Sequence, residues 1–291
     1  MTKPDFILIG AMKSATSTLH AQLAMQPGIF MSTPKEPNYF SDDEQYARGE
    51  AWYDGLFELA ENGDLCGESS THYTKLPDYP QTIERMQRRL VAPKLIYVIR
   101  HPVDRLVSHY IHQWSQRVIS CDINQAIDQY HELIAYSCYA RQLLPYIEAY
   151  GRENILVTCT EAIKASPQSE LERVARFIGY SKPVVWHDTL PSQNVSQQRI
   201  RPFPGYGLLV ESRVMTFLRQ KLVPQSIRDR VKSGLTMKER PVIDAVHMNK
   251  LVETFDRDLE VLGSWFGRQI KCDNFKQVAV SEPLKFSHQQ S

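Results

Sequence analysis

The stretch that most constrains this chain is FILIGAMKSATSTL, residues 6–19. An apolar run from Phe6 to Ile9 stops at Gly10, and small polar residues lead into a helix-like segment over 17–26. A short apolar run bounded by glycine reads as a buried strand, and the Ser/Thr cluster after it reads as a helix start. Strand, tight loop and helix N-terminus together present unpaired backbone N–H groups and the positive end of a helix dipole, a setting that attracts phosphate or sulfate. Lys13 adds a full charge, and the hydroxyls of Ser14, Thr16, Ser17 and Thr18 add donors. An ordinary strand–turn–helix start, capped by Ser or Thr, is the plain alternative.

The remaining composition narrows the choices. A chain of 291 residues, 42% hydrophobic and 23% charged, suits one large α/β domain or two small ones. Lys plus Arg is 34 against 33 for Asp plus Glu, so the net charge of +1 gives no reason to bind nucleic acid. Basic residues do crowd one segment (Arg85, Arg88, Arg89, Lys94, Arg100, Arg105, Arg117), with a solvated helix face as the preferred reading of 85–89. Five cysteines (Cys66, Cys121, Cys138, Cys159, Cys272), widely spaced and without a C-x-x-C pair, indicate neither a zinc site nor a disulfide framework. Reduced thiols fit a cytoplasmic protein, and the apolar run 6–12 is too short for a membrane span and lacks a signal-peptide cleavage region.

In chain order, short strands are expected at 28–31, 65–68, 95–99 and 154–158, with LIYVI at 95–99 apolar as a central parallel strand should be. Helices are expected at 51–59, 81–90, 103–116, 122–136, 139–150 (kinked or shortened by Pro145), 208–222 and 242–266, with another from the Ser166-Pro167 cap to Gly179. Prolines 34 and 37 predict an extended, exposed 32–40 segment. Residues 42–50 read as polar loop, 183–204 as a long functional loop, and 271–291 as a weakly ordered tail after a domain over 1–270. Strands alternating with helices argue for a single α/β domain, P-loop-like, with a central parallel sheet flanked by helices.

Several motifs sharpen this. The nucleotide-triphosphate loop G-x-x-x-x-G-K-[ST] is absent: counted from Gly10, Ala15 and Thr16 stand at its second glycine and lysine, and the lysine comes early, at Lys13. The order K-S-A-T-S-T-L from Lys13 to Leu19, the pattern R-x-P-x-x-R-x-x-S from Arg100 to Ser108, K-E-P-N-Y-F from Lys35 to Phe40 and G-E-S-S-T-H-Y from Gly67 to Tyr73 stand in order along the chain. Together they resemble the sulfotransferases that use PAPS (3′-phosphoadenosine 5′-phosphosulfate), nearest the heparan-sulfate, carbohydrate type. The resemblance implies that Lys13, Ser14, Ala15, Thr16, Ser17 and Thr18 hold the 5′-phosphosulfate, that Arg100 and Ser108 hold the 3′-phosphate, and that Glu36 is the general base. His112, four residues beyond Ser108 and so on the same helix face, matches an active-site histidine of the N-sulfotransferase branch. Asn38, Glu68 and His72 fall in acceptor-facing segments, where Asn38 replaces a histidine and Ser69 a lysine. Ser196, Arg199 and Pro202 match a late loop closing over PAPS, with Arg199 the cofactor contact. Where the family has glycine this chain has Ala15.

What the resemblance implies is sulfuryl transfer from PAPS, leaving PAP, to a hydroxyl or amine of an acceptor, a saccharide or glycoconjugate, without a metal. Lys13 and the loop N–H groups would stabilise the leaving oxygen, with His112. The rivals are a P-loop nucleotide kinase or NTPase with a degenerate loop and a non-catalytic module binding anionic glycans. Oligomeric state is not legible in the sequence.

Overall fold

Side chains alternate between the two faces of a strand, and here both faces are covered. The computed structural model describes residues 4–189 and 240–287. Strands β1 (Phe6–Gly10), β2 (Ile29–Met31), β3 (Leu65–Ser69), β4 (Lys94–Ile99) and β5 (Ile155–Cys159) form one sheet in the order β2-β3-β1-β4-β5. Every pairing is parallel; Phe6 lies beside Gly67 on one flank and Lys94 on the other. Ile7, Ile9, Leu95, Tyr97 and Ile99 enter one apolar cluster, while Phe6, Leu8, Ile96 and Val98 enter another on the opposite face. Burial on both faces is why these strands read as unbroken apolar runs.

Helices α1 (Thr16–Ala24), α2 (Asp43–Tyr46), α3 (Glu50–Gly55), α4 (Thr82–Arg89), α5 (Pro102–Ser115) and α6 (Ile123–Gln129) come first in the chain. After them come α7 (Glu132–Ala135), α8 (Tyr139–Tyr150), α9 (Thr160–Ala165), α10 (Pro167–Phe177), α11 (Ala245–Trp265) and α12 (Phe275–Ser281). Leu19 and Leu23 of α1 and Leu171 and Val174 of α10 fill one cluster; α4, α5, α8 and α11 fill the other with Met86, Leu106, Leu143 and Phe255.

Several expectations are corrected. The polar 42–50 stretch contains α2, because Asp42 caps it by accepting from the Glu44 and Gln45 amides at 3.0 Å. The helix expected over 51–59 ends at Gly55. The single helix expected over 122–136 is two, broken where Tyr130 is extended; beyond the break His131 and the Tyr136 hydroxyl both reach Asp78. α8 keeps its full length around Pro145. Arg85 and Arg89 are no solvated face, since Arg85 pairs with Asp43 while Arg89 binds Glu50 and Asp54, and both guanidinium groups are nearly enclosed. The expected weak tail holds α12, whose Phe275 and Ala279 are buried. The helix expected over 208–222 and most of the 183–204 loop lie outside the described residues.

Candidate functional site

The loop after β1 is built to leave N–H groups open. Gly10 has φ +151°, and a Cβ there would meet Thr74 Oγ1 at 1.9 Å, so only glycine fits. The Ala11 amide donates to Val98 O at 2.7 Å, drawing the loop over the end of β4. Lys13 and Ala15 both take left-handed backbone, φ 70° and 62°. No side chain caps α1 and no acid lies in its first turn. Its first backward bond is Leu19 N–H to Ala15 O at 3.1 Å, so the amides of Thr16, Ser17 and Thr18 have no helical acceptors. The Ser14 hydroxyl is buried without a hydrogen-bond partner, an orphan that suits an anionic ligand seated in the loop.

Arg100 joins this loop from β4, its Nη1 donating to Lys13 O at 3.3 Å. The chain leaves β1 toward β2 and leaves β4 toward β5, so the two ends flank the point where the sheet's winding reverses, the usual ligand crevice of open α/β sheets. Ser108, buried, and His112, half-buried, follow one turn apart on α5. Arg105, between them and Arg100, is fully enclosed; it donates to Ser137 Oγ and, at 2.7 Å, to Leu133 O, tying α5 to α7. His109 is likewise enclosed against Arg105 and the Tyr136 ring, 5.7 Å away. Burial, with the charges of Arg105, Lys75, His112 and Lys13, holds its pKa well below the usual histidine value.

The two segments expected to face an acceptor lie at the ends of β2 and β3. The Glu36 amide donates to Ser69 O at 2.9 Å, and Glu36 Oε2 accepts from the Thr71 amide at 2.7 Å and its hydroxyl at 3.0 Å. These bonds draw Glu36 inward on left-handed backbone, φ 61°, where an extended, exposed segment was expected. Burial opposes ionisation of Glu36, but the Lys35 ion pair and the Thr71 bonds outweigh it and hold the carboxyl below its ordinary value. The Asn38 amide donates to Ser70 Oγ at 3.0 Å, while its Oδ1 and His72 Nδ1 are buried without partners. His72 stacks on Tyr79 at 4.9 Å, and burial together with Lys75 lowers its pKa to about 4.

Glu68 is a correction. It is 0% exposed, and its carboxyl accepts from Ser70 Oγ at 2.6 Å, Tyr73 OH at 2.7 Å and Tyr53 OH. Enclosed among these donors, it offers no atom to an acceptor; burial raises its pKa. Tyr39, Phe40, Tyr53 and Tyr73 beside it are buried in the core. Arg199, with Ser196 and Pro202, lies outside the described residues.

Two residues at the site escaped sequence reasoning. His20 Nδ1 lies 2.9 Å from Ser69 Oγ, and burial together with Lys35 lowers its pKa to about 4. Its spacing four residues past Thr16, on the same face of α1, was the available signal. Lys75 is 8% exposed, its ammonium 5.8 Å from the Tyr136 ring centroid; burial brings its pKa to about 8 against the attraction of Glu36. Nothing local marks Lys75. The Lys75 charge, like that of Lys13, lowers the pKa of His109, and Glu36 in turn raises that of Lys75.

Among the described residues no group of three or more His, Cys, Asp or Glu is placed to hold a metal ion. Nor is any described helix long and apolar enough to cross a membrane.

Comparison with known proteins adds an independent line. The mouse (Mus musculus) heparan sulfate glucosamine 3-O-sulfotransferase 3B1 is 28% identical over 188 residues, covering 62% of this chain and 47% of that protein. The membrane-associated sulfotransferase kil1 of Dictyostelium discoideum is 39% identical over 119 residues, 39% of this chain and 24% of its own length. The chain thus spans about half, or less, of the length of these curated relatives. A crystal structure of a sulfotransferase from Alicyclobacillus acidocaldarius superposes with a TM-score of 0.67 at 21% identity, covering 93% of this chain and 98% of that one, and shares its fold. The sequence profile of the sulfotransferase domain matches residues 3–201, the stretch that carries β1 to β5 and both halves of the site, and the chain belongs to that family.

Proposed function

We propose that this protein transfers a sulfuryl group from PAPS to a hydroxyl or amine of a carbohydrate acceptor. The observation that carries the reading is the uncapped start of α1, with the buried, unpartnered Ser14 hydroxyl beside it and Arg100 bonded to the Lys13 carbonyl. Lys13 and the amides of Thr16, Ser17 and Thr18 bind the 5′-phosphosulfate and stabilise the charge that grows on the leaving oxygen. Arg100 and Ser108 bind the 3′-phosphate. PAPS supplies an activated sulfuryl group, so positioning and charge stabilisation are most of what the protein must add. His112, one turn past Ser108, faces the donor side.

Glu36, ionised at neutral pH, takes the proton from the acceptor as the new S–O or S–N bond forms and the bond to PAP breaks. Asn38 Oδ1 and His72 Nδ1, buried and unpartnered, are the groups an acceptor sugar would satisfy. The carbohydrate class follows the name of the 3-O-sulfotransferase relative, which acts on heparan sulfate glucosamine.

Thermal-shift titration with PAP, ADP and ATP–Mg²⁺ tests the reading. Saturation with PAP at 100 times its dissociation constant adds about 2.7 kcal/mol and raises the midpoint by about 5 °C or more, with ADP giving less. A response to ATP–Mg²⁺ alone would replace the proposal with a kinase. Lys13→Ala is expected to lower turnover about 10²-fold or more, as loss of other transition-state donors does.

A further inference from the structure

The first turn of α5 stands between Arg100 and Ser108, and an acid sits in it. Asp104 is one turn before Ser108 on the same helical face, so an unneutralised carboxylate there would repel a phosphate held by Ser108. It is not left unneutralised. Lys276 of α12 reaches Asp104 Oδ2 at 2.8 Å, and Arg240 reaches its other oxygen at 2.5 Å. The same C-terminal segment also fixes the turn's backbone. His101 Nδ1 accepts from the Asp104 amide at 3.4 Å, which places the ring proton on Nε2, and Nε2–H donates to Cys272 O at 3.0 Å. The His101 ring meets the Phe275 ring edge-on at 5.9 Å, and the His101 amide donates to Glu161 Oε1 at 3.0 Å. Cys272 is in turn anchored, its amide donating to Asp256 Oδ1 of α11 at 2.7 Å.

We propose that the C-terminal segment 270–281 is a positioning element for the 3′-phosphate grip, with Lys276 sharing with Arg240 the neutralisation of Asp104, and Cys272 and Phe275 holding His101 at the start of α5. Lys276 touches no ligand; it acts through Asp104. This inference rests on the proposed use of Arg100 and Ser108 for the 3′-phosphate, and it adds a specific requirement: the segment matters for ligands that carry that phosphate and not for those that lack it.

Lys276→Ala is the decisive variant, because the side chain is 61% exposed and its loss should leave the fold intact. Calorimetric titration of the full chain with PAP and, separately, ADP gives the readout. For Lys276→Ala, PAP binding is expected to weaken by about three- to tenfold, the size of one partly screened charge at this range, while ADP binding is unchanged. Lys276→Arg, which keeps the charge, is expected to restore PAP affinity. Equal weakening for PAP and ADP, or no change for either, overturns the positioning role. Failure of the unaltered protein to prefer PAP over ADP overturns the proposed 3′-phosphate grip itself, and the positioning role with it. The two failures are therefore distinguishable.

Discussion

Lys35 decides how Glu36 can serve as a base. The ion pair and the Thr71 bonds keep Glu36 ionised below its ordinary pKa, which guarantees a free carboxylate but a weak one. Lys35→Ala removes the largest opposing influence to burial, so the carboxyl should titrate at higher pH. The acid limb of the kcat/KM profile is expected to move upward in pH, whereas a limb that stays put would separate Glu36 from proton transfer. Ala15 carries a different tension. Left-handed backbone at φ 62° costs an alanine about 1–2 kcal/mol, while glycine loses about 0.4–1 kcal/mol through its freer unfolded chain. Ala15→Gly is therefore expected to be neutral or to stabilise by up to about 1.5 kcal/mol, read as a raised midpoint on urea unfolding. The departure from the family's glycine is legible at once in the sequence; that it falls on the strained residue is legible only in the backbone.

At the scale of elements, α12 shows what local reading misses. Its seven residues give too little periodicity to register, yet Phe275 is 2% exposed beneath them. Phe275→Ala should destabilise by about 3–5 kcal/mol, and removal of everything after residue 270 should lower the thermal midpoint sharply, which a disposable tail would not do. Strands β1, β4 and β5 were legible because burial on both faces writes apolar runs into the sequence, and α5 because Pro102 opens it. The shape of the loop after β1 was legible because one short segment supplies nearly all its polar groups. The surroundings of Glu36 were legible only in part: the motifs single out Glu36, Asn38 and His72, but Thr71, His20 and Lys75 come to it only through contacts that cross between β2, β3, α1 and the end of α7. Glu68 shows the same: its place in an acceptor-facing motif does not reveal that Tyr53 and Tyr73 close over it.

Across the whole molecule, buried neutral histidines set the response to acid. His20 and His72 titrate near 4 when folded against 6.5 when free, and His101 and His109 are also lowered, so the unfolded chain binds protons that the folded chain refuses. Stability should fall as pH drops from about 6.5 toward 4. Asp258, raised by burial to about 6 where it caps α8, works the other way over part of that range, as do Glu68, raised by burial, and the exposed His247, raised by Asp128 and Asp244, but the four lowered histidines outnumber these three. A thermal midpoint that rises from pH 7 to pH 5 would contradict this assignment. The strand order has a further consequence for how such a protein can change. Because β1 separates β3 from β4, the groups assigned to the acceptor hang from one flank of the central strand and the 3′-phosphate grip from the other. Divergence or engineering can then change Asn38 and His72 for a new acceptor, with the buried Tyr39, Phe40, Glu68 and Tyr73 kept as core, while the loop at 13–18 and the segment 100–108 are left unchanged, so that one donor grip could serve many acceptors.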